Sequence, residues 1–205
     1  MTAETISTMP ADATIHPGWV RVCHWINALA ILLMIGSGWQ IYDASPLFRS
    51  IEFSKHIALG QWLGGALLWH FAAMWLLVIN GIVYVTLGLA TGRFRRKLLP
   101  IYLSDVIADA RAALTFQLTH DDLAHYNAVQ KMLYSAVILS GILIVLSGLS
   151  IWKPVQFQEL TALFGGYDFA RYVHFAAMTA IVGFLAVHVT LALLVPKSLR
   201  AMIAG

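Results

Sequence analysis

Four long apolar runs constrain this sequence more than any other feature. Each is long enough to cross the roughly 30 Å hydrocarbon core of a bilayer at about 1.5 Å per residue. Of the 205 residues, 60% are hydrophobic and only 11% are charged, which is too little charge for the surface of a soluble domain. Because backbone groups in lipid must be satisfied internally, open sheets are excluded. The sequence predicts an all-α, integral membrane four-helix bundle with spans at about 22–41, 62–90, 132–151 and 172–195.

The basic residues predict how this bundle is oriented. Nine lie on the side shared by both termini and the central connection: Arg21, Arg93, Arg95, Arg96, Lys97, Arg111, Lys131, Lys197 and Arg200. Four lie on the opposite side: Arg49, Lys55, Lys153 and Arg171. Since cytoplasmic loops carry the excess of Lys and Arg, both termini are expected in the cytoplasm.

The organisation is that of one domain. Residues 1–16 are polar and lack the apolar core of a signal peptide, so they are predicted to be a short tail. Residues 17–205 form a single membrane domain, which leaves no room for a second. The connections are a cytoplasmic loop at 91–131, with an amphipathic surface helix at about 103–116, and two irregular outer loops at 42–61 and 152–171.

The chain has a single cysteine, Cys23. One cysteine cannot form an internal disulfide, and it cannot provide the Cys-x-x-Cys-His motif for covalent haem attachment. A four-cysteine iron–sulfur cluster within the chain is excluded for the same reason.

Four of the eight histidines lie in the apolar runs: His24, His70, His174 and His188. Ionisable residues at membrane depth are costly and are candidates for function. The ordinary alternative for one such histidine is a hydrogen bond to a neighbouring helix. However, His174 and His188 are separated by just under four helical turns in the same apolar run. They would therefore lie on one face of a helix, about 21 Å apart.

Distances along the chain predict which histidines share a depth. The second and fourth spans meet the cytoplasm at Arg93 and Lys197. His70 precedes Arg93 by the same number of positions as His174 precedes Lys197. Because rise per residue is fixed in a helix, these two histidines are expected at one level towards the outer side.

The other two histidines are expected at an inner level. His24 follows Arg21 at the cytoplasmic start of the first span, and His188 lies less than three turns before Lys197. His56 precedes His70 by the same spacing that separates His174 from His188, as in a second two-histidine helix. That arrangement would place His56 about four turns beyond His70, outside the membrane, and would leave His24 without a partner.

Two histidines at each level could bind zinc, copper or haem. Two imidazoles without a carboxylate or thiolate make a poor tetrahedral zinc site, but they form a complete set of axial ligands for haem iron. The sequence therefore predicts two haem b groups, held by the pairs His24/His188 and His70/His174. Small residues at the outer level are candidates for packing against the macrocycle, with ordinary close helix packing as the alternative: Gly36, Gly38, Ser147 and Gly148.

With these residues identified, the chain resembles the di-haem b-type cytochromes. That family includes the membrane subunits of nickel–iron hydrogenases, formate dehydrogenases and thiosulfate reductases. The resemblance covers nearly the whole chain and is carried by segments 21–29, 69–73, 126–131, 146–149 and 173–189. The thiosulfate-reductase-like branch is most similar, through Trp69-His70-Phe71 and the Phe94-Arg95-Arg96 segment before Pro100. Tyr84 stands where the hydrogenase pattern has arginine.

The resemblance implies a role in the bacterial cytoplasmic (inner) membrane. A chain of this family links the quinone pool to a separate redox subunit, usually periplasmic, for which a molybdenum-containing oxidoreductase is one type. The expected function is transmembrane electron transfer, with membrane lipid as the surroundings and no nucleic-acid partner. A quinone would require polar groups near one haem. The candidates at the start of the third span are His125, Tyr126, Asn127 and Lys131, for which a solvated loop and helix cap is the alternative.

A second function stays open at this stage. A self-contained oxidoreductase could take electrons from superoxide at the outer face, where Lys55, Lys153 and Arg171 would attract an anion. A tetraspan transporter or assembly factor is the non-redox alternative. The second outer loop also carries apolar residues that suit either a partner interface or the lipid headgroup zone. They are Trp152, Phe157, Leu160, Leu163, Phe164 and Tyr167.

Overall fold

The structure, a computed structural model, describes residues 16–115 and 126–204. Within these ranges the chain is helical and has no strand. The elements are α1 (Gly18–Ala44), α2 (Leu63–Ala90), α3 (Arg93–Leu98), α4 (Leu103–Leu114), α5 (Ala128–Trp152), α6 (Gln158–Leu163), α7 (Tyr167–Leu194) and α8 (Pro196–Ile203). Four of them, α1, α2, α5 and α7, are long and apolar enough to span a membrane, which confirms the predicted all-α architecture.

The surfaces of the long helices are apolar. Leu68 on α2 is 73% exposed, Leu139 on α5 is 65% exposed, and Leu193 on α7 is 68% exposed. Large aliphatic side chains stay exposed on these helices because lipid tails, rather than water, surround them.

The helices pack in two antiparallel pairs, α1 with α2 and α5 with α7. The buried positions are mostly small residues, including Ala30, Ala66, Ala73, Ala170 and Ala177. Lipid gives no hydrophobic drive for association, so close backbone approach at small residues supplies the packing energy.

Both ends of the described chain lie at one end of the bundle. The Arg21 side chain donates to the Ile203 carbonyl at 3.0 Å, and Trp25 Nε1 donates to the Met202 carbonyl at 3.3 Å. The Arg93 guanidinium at the start of α3 lies 3.2 Å from His16 Nδ1. We call this the inner end, after the orientation that the basic residues predict, and the opposite one the outer end.

The connections hold more helix than the sequence indicated. The surface helix expected at about 103–116 is observed as α4, but the second outer loop, predicted to be irregular, contains α6. That prediction was wrong because Pro154 and the glycines were taken to break the whole segment. In fact six residues free of Gly and Pro form a short helix, and the left-handed Gly165 (φ 80°) and Gly166 (φ 103°) lie beyond its end. Of the predicted polar tail, only His16 falls within the described residues.

Candidate functional site

The four membrane histidines form two close pairs. The rings of His24 and His188 have centroids 6.0 Å apart and planes inclined by 62°. The rings of His70 and His174 have centroids 6.4 Å apart and planes inclined by 60°. A metal ion bound at about 2 Å by one nitrogen of each ring would separate the centroids by roughly 6 Å. We call His24 and His188 the inner pair, and His70 and His174 the outer pair.

The ring of His70 is oriented by α1. Its Nδ1 lies 3.0 Å from Ser37 Oγ, and the Ser37 hydroxyl donates its own hydrogen to the Leu33 carbonyl at 2.6 Å. The Met34 carbonyl also lies beside this ring. Because these partners act as acceptors, Nδ1 of His70 carries the proton. Its Nε2 therefore keeps a lone pair for a metal.

The ring of His174 is oriented in the same way by α5. Its Nδ1 lies 3.1 Å from the Ile144 carbonyl and 3.2 Å from Ser147 Oγ. The Ser147 hydroxyl donates to the Leu143 carbonyl at 2.8 Å. Since a carbonyl can only accept, Nδ1 of His174 is also the protonated nitrogen.

Glycines give both outer rings room. A Cβ added at Gly38 would lie 3.5 Å from Cε1 of His70, and one added at Gly148 would lie 3.2 Å from Cε1 of His174. Gly36, also a predicted packing residue, has a different neighbour. Its carbonyl accepts from Leu59 N at 2.9 Å, so it anchors the first outer loop rather than a histidine.

The inner pair has a different environment. Within the described chain, neither His24 nor His188 has a hydrogen-bonded ring nitrogen. The His188 ring stacks on Phe184 at 5.4 Å, and the His24 ring meets Trp25 edge-on at 5.2 Å. The two inner rings are therefore surrounded by aromatic side chains, whereas the two outer rings are surrounded by hydrogen-bonding partners.

A polar link that the sequence analysis missed lies beside His24. Asn80 on α2 is only 7% exposed and donates to the Cys23 carbonyl at 2.8 Å and to Asn27 Oδ1 at 2.7 Å. The signal was available, because an amide within an apolar span needs a partner. The link joins α1 to α2 through the backbone that carries His24.

The donor set fits haem. Among the described residues, no third His, Cys, Asp or Glu joins either pair to form a group of metal ligands. Two side-chain N–H groups are buried without a partner in the described chain, Arg21 Nε and Trp39 Nε1. Arg21 lies one turn before His24, and Trp39 follows Gly38. Each pair therefore has a donor nearby that suits a haem carboxylate.

The candidate quinone residues lie at the inner end, apart from His125, which falls outside the described residues. Tyr126 hydrogen-bonds to Arg93 and lies under the Lys97 ammonium, 5.8 Å from the ring centroid. Burial raises the pKa of Tyr126, with Arg93 opposing the shift. Asn127 caps α5 by accepting from Gln130 N at 2.8 Å, and Lys131 Nζ is 3.5 Å from the Pro100 carbonyl.

A row of aromatic rings connects Tyr126 with the inner pair. Tyr126 lies 5.0 Å from Tyr134, Tyr134 lies 6.3 Å from Phe184, and Phe184 stacks on His188. The sequence analysis named only Tyr126 and His188 from this row. The others are ordinary apolar or aromatic residues in a span, and only the packing of α5 against α7 brings them together.

His16 forms part of the same inner end. Burial, together with the nearby Arg93 and Lys97 charges, lowers the pKa of His16 to about 4. His16 is therefore neutral near pH 7, and its Nδ1 accepts from the Arg93 guanidinium. This contact holds the start of α1 against α3.

The remaining candidate residues lie at the outer end, in different environments. His56 is exposed and contacts neither pair. Arg171 donates to the carbonyl and hydroxyl of Ser45, and Lys153 lies over the Trp152 ring at 5.1 Å. Trp152 itself packs on Phe71 at 5.1 Å, so it belongs to the helix interface rather than to an exposed surface.

Comparison with known proteins agrees with this fold and donor set, which together define a multi-pass membrane haem protein. The family described as "Prokaryotic cytochrome b561" matches residues 15–205, and the chain belongs to that family. A relative from Azospira oryzae is 51% identical over 191 residues, which cover 93% of this chain and 96% of the relative. That protein is named "Putative protein-methionine-sulfoxide reductase subunit YedZ1". The chain is therefore a haem b protein of electron transport in the bacterial inner membrane.

Proposed function

We propose that this chain holds two haem b groups and carries electrons across the membrane between a quinone and an oxidoreductase at the outer face. The observation that carries the proposal is the presence of two imidazole pairs, at 6.0 and 6.4 Å, at two levels of one bundle. A haem with two histidine ligands supplies one-electron transfer without an open coordination position.

Helix α7 sets the distance between the two levels. His174 and His188 lie on one face about 21 Å apart, most of the roughly 30 Å hydrocarbon core. Helices α1 and α2 each supply one further histidine, so all four ligands sit on helices rather than on loops. Ligands on packed helices keep their geometry while electrons pass, and no large motion is needed.

The quinone is proposed to bind at the inner end, near His125, Tyr126, Asn127 and Lys131. The Tyr126 hydroxyl and the Arg93 guanidinium are hydrogen-bonding groups of the kind that a quinone carbonyl requires. The rings of Tyr134 and Phe184 fill the space between Tyr126 and His188. Asn127 contributes mainly by fixing the start of α5.

The partner is proposed to be the catalytic subunit of a protein-methionine-sulfoxide reductase, a periplasmic enzyme for which a molybdenum centre is the expected type. The name of the 51% identical relative supports this choice. It carries more weight than the resemblance to the thiosulfate-reductase-like branch. One quinol would release two electrons and two protons. One sulfoxide would take up two electrons and two protons to give a thioether and water.

The docking surface is proposed to lie on α6 and its flanks at the outer end. Phe157 is 39% exposed, Leu163 is 80% exposed and Val155 is 79% exposed, in a segment that forms no span. Exposed apolar groups of this kind mark interfaces when a partner covers them.

The first test of the proposal is haem content. We expect two non-covalent haem b groups per purified chain by the pyridine haemochrome assay, and acid–acetone should extract all of it. A firm stoichiometry of one, or haem that stays on the polypeptide, would contradict the proposal.

The partner is tested by co-purification from native membranes in mild detergent. Phe157→Asp and Leu163→Asp should release the catalytic subunit and abolish its electron supply while both haems remain. Ile57→Asp is the matched control, since Ile57 is 57% exposed on the other outer loop. If the native complex is this chain alone, and it oxidises superoxide rapidly, the self-contained enzyme replaces the two-subunit function.

A further inference from the structure

We propose that Ser37-Gly38 on α1 and Ser147-Gly148 on α5 are equivalent positioning elements. They fix the rings of the outer pair and make the outer iron harder to reduce than it would be without them. The proposal rests on the haem function proposed above. It concerns a difference between the two proposed haem sites in the groups that set the reduction potential.

The two elements share one geometry. In each, a carbonyl three residues before the serine lies beside the histidine ring. Ile144 accepts from His174 Nδ1 at 3.1 Å, and Met34 holds the equivalent position beside His70. In each, the serine hydroxyl lies beside Nδ1 of the same ring, at 3.0 Å for His70 and 3.2 Å for His174.

The glycine completes the element. It follows the serine, four residues after the accepting carbonyl, and so lies next to that carbonyl on the helix surface. A Cβ at Gly38 or Gly148 would touch the imidazole Cε1, at 3.5 or 3.2 Å. Without a side chain there, the ring approaches the helix closely enough to share its Nδ1 proton with a backbone carbonyl.

Both serines are fully buried, at 0% exposure, and neither hydroxyl is free to turn. Each donates its hydrogen back along its own helix, to the Leu33 or the Leu143 carbonyl. The hydroxyl therefore offers only a lone pair to the histidine. Because the hydroxyl can only accept from Nδ1–H, it stabilises the tautomer protonated on Nδ1. The Nε2 lone pair is then left for the iron.

The hydrogen bonds also affect the metal. A ligand imidazole that gives its N–H to an acceptor becomes more basic and donates more charge to the metal. More charge stabilises the oxidised iron and lowers its midpoint potential. The inner pair has no such acceptors in the described chain, so only the outer iron is affected. With haem bound, a lowered outer potential would make that site a stronger electron donor to an acceptor at the outer face.

The experiment compares Ser37→Ala and Ser147→Ala with Ser150→Ala in the purified full-length chain. Ser150 is the matched control, because it is equally buried on α5 and donates to the Leu146 carbonyl at 3.1 Å, but hydrogen-bonds to no histidine of the described chain. The readouts are haem stoichiometry, the midpoint potential of each haem by redox titration, and the low-spin ferric EPR signals. The outer signal is identified as the one that His70→Ala removes.

We expect Ser37→Ala and Ser147→Ala to raise the outer potential and shift the outer EPR signal, with the inner values unchanged. Ser37→Thr and Ser147→Thr keep the hydroxyl and should restore the original outer values. Loss of outer haem alone in the alanine variants, with haem kept in the threonine variants, supports positioning equally. Equal shifts at both haems, or the same shift in Ser150→Ala, would overturn the proposal. So would unchanged outer values. A wild-type chain that binds no haem would instead overturn the proposed function.

Discussion

The outer and inner histidine pairs have nearly the same ring separation but are held by different means. The outer rings donate to serines and backbone carbonyls, so the proposed ligands themselves are fixed. The inner rings are held by aromatic packing, and Asn80 fixes the backbone next to His24 instead. Two sites of one donor type can therefore be tuned separately through the groups around them.

The difference follows the position of each site in the membrane. The outer rings meet helix backbone where Ser-Gly pairs allow close approach. The inner pair lies at the end that carries Arg93 and Lys97, and the aromatic row from Tyr126 reaches it. An outer pair held by hydrogen bonds and an inner pair next to the proposed quinone site suit the proposed transfer from a quinol to a docked protein.

The largest expected effect comes from removing ligands. His70→Ala and His174→Ala should each remove the outer haem, and His24→Ala and His188→Ala should each remove the inner one, because each variant leaves one axial position without its imidazole. Redox difference spectra and haem stoichiometry measure the loss. His56→Ala is the control and should keep both haems. If His24→Ala and His174→Ala deplete the same spectral component, the pairing is wrong and the comparison of two sites fails.

Much of this arrangement could be predicted from the sequence, for a physical reason. Spans are set by bilayer thickness, and depth follows from counting residues along a helix of fixed rise. Counting from Arg93 and Lys197 therefore grouped the same histidines that the structure brings together.

The residues that contact the histidines could not be predicted by counting along the helices. The contact of Ser147 with His174, or of Asn80 with Cys23, depends on the rotation of one helix against another. Gly36 and Gly38 illustrate the same dependence on helix rotation. Both were candidates for packing, but a difference of two residues turns one towards a loop and the other towards a ring.

A second prediction sharpens the comparison within the outer site. Gly148→Ala would bring a methyl group to 3.2 Å from the His174 ring, whereas Gly38→Ala would make an ordinary contact at 3.5 Å. We expect Gly148→Ala to weaken outer haem binding by about 1–3 kcal/mol, the usual cost of overpacking. Gly38→Ala should have little effect. Haem retention during detergent dilution and the outer EPR signal measure the difference. Gly141→Ala is the control on the same helix, because its added methyl meets no atom within 4 Å. Equal loss in all three variants would show that the Gly148 contact is unimportant.

A third prediction concerns the inner end. Tyr126→Phe removes the hydroxyl that pairs with Arg93, and Lys131→Ala removes a second polar group of the proposed quinone site. Loss of one hydrogen bond of about 0.5–1.5 kcal/mol should slow quinol-driven haem reduction roughly two- to tenfold. Stopped-flow absorbance measures the rate, and both haem spectra should stay intact. Tyr102→Phe, at an exposed tyrosine beside α4, should reduce at the wild-type rate. If neither variant differs from Tyr102→Phe, the quinone binds elsewhere, and the outer end becomes the next place to test.

The smallest expected effect tests whether the inner pair is held through its backbone. Asn80→Leu keeps a similar volume but removes the hydrogen bonds to the Cys23 carbonyl and Asn27. Interhelical hydrogen bonds of this kind contribute about 0.6 kcal/mol on average and up to about 2 kcal/mol. The inner haem signal should broaden or shift while the outer signal is unchanged, and the thermal midpoint should fall slightly. Asn27→Ala removes only one of the two bonds and should give a smaller change in the same direction. An equal shift at both haems would mean that Asn80 acts on the bundle as a whole. The distinction between a site fixed at its ligands and a site fixed at its backbone would then be lost.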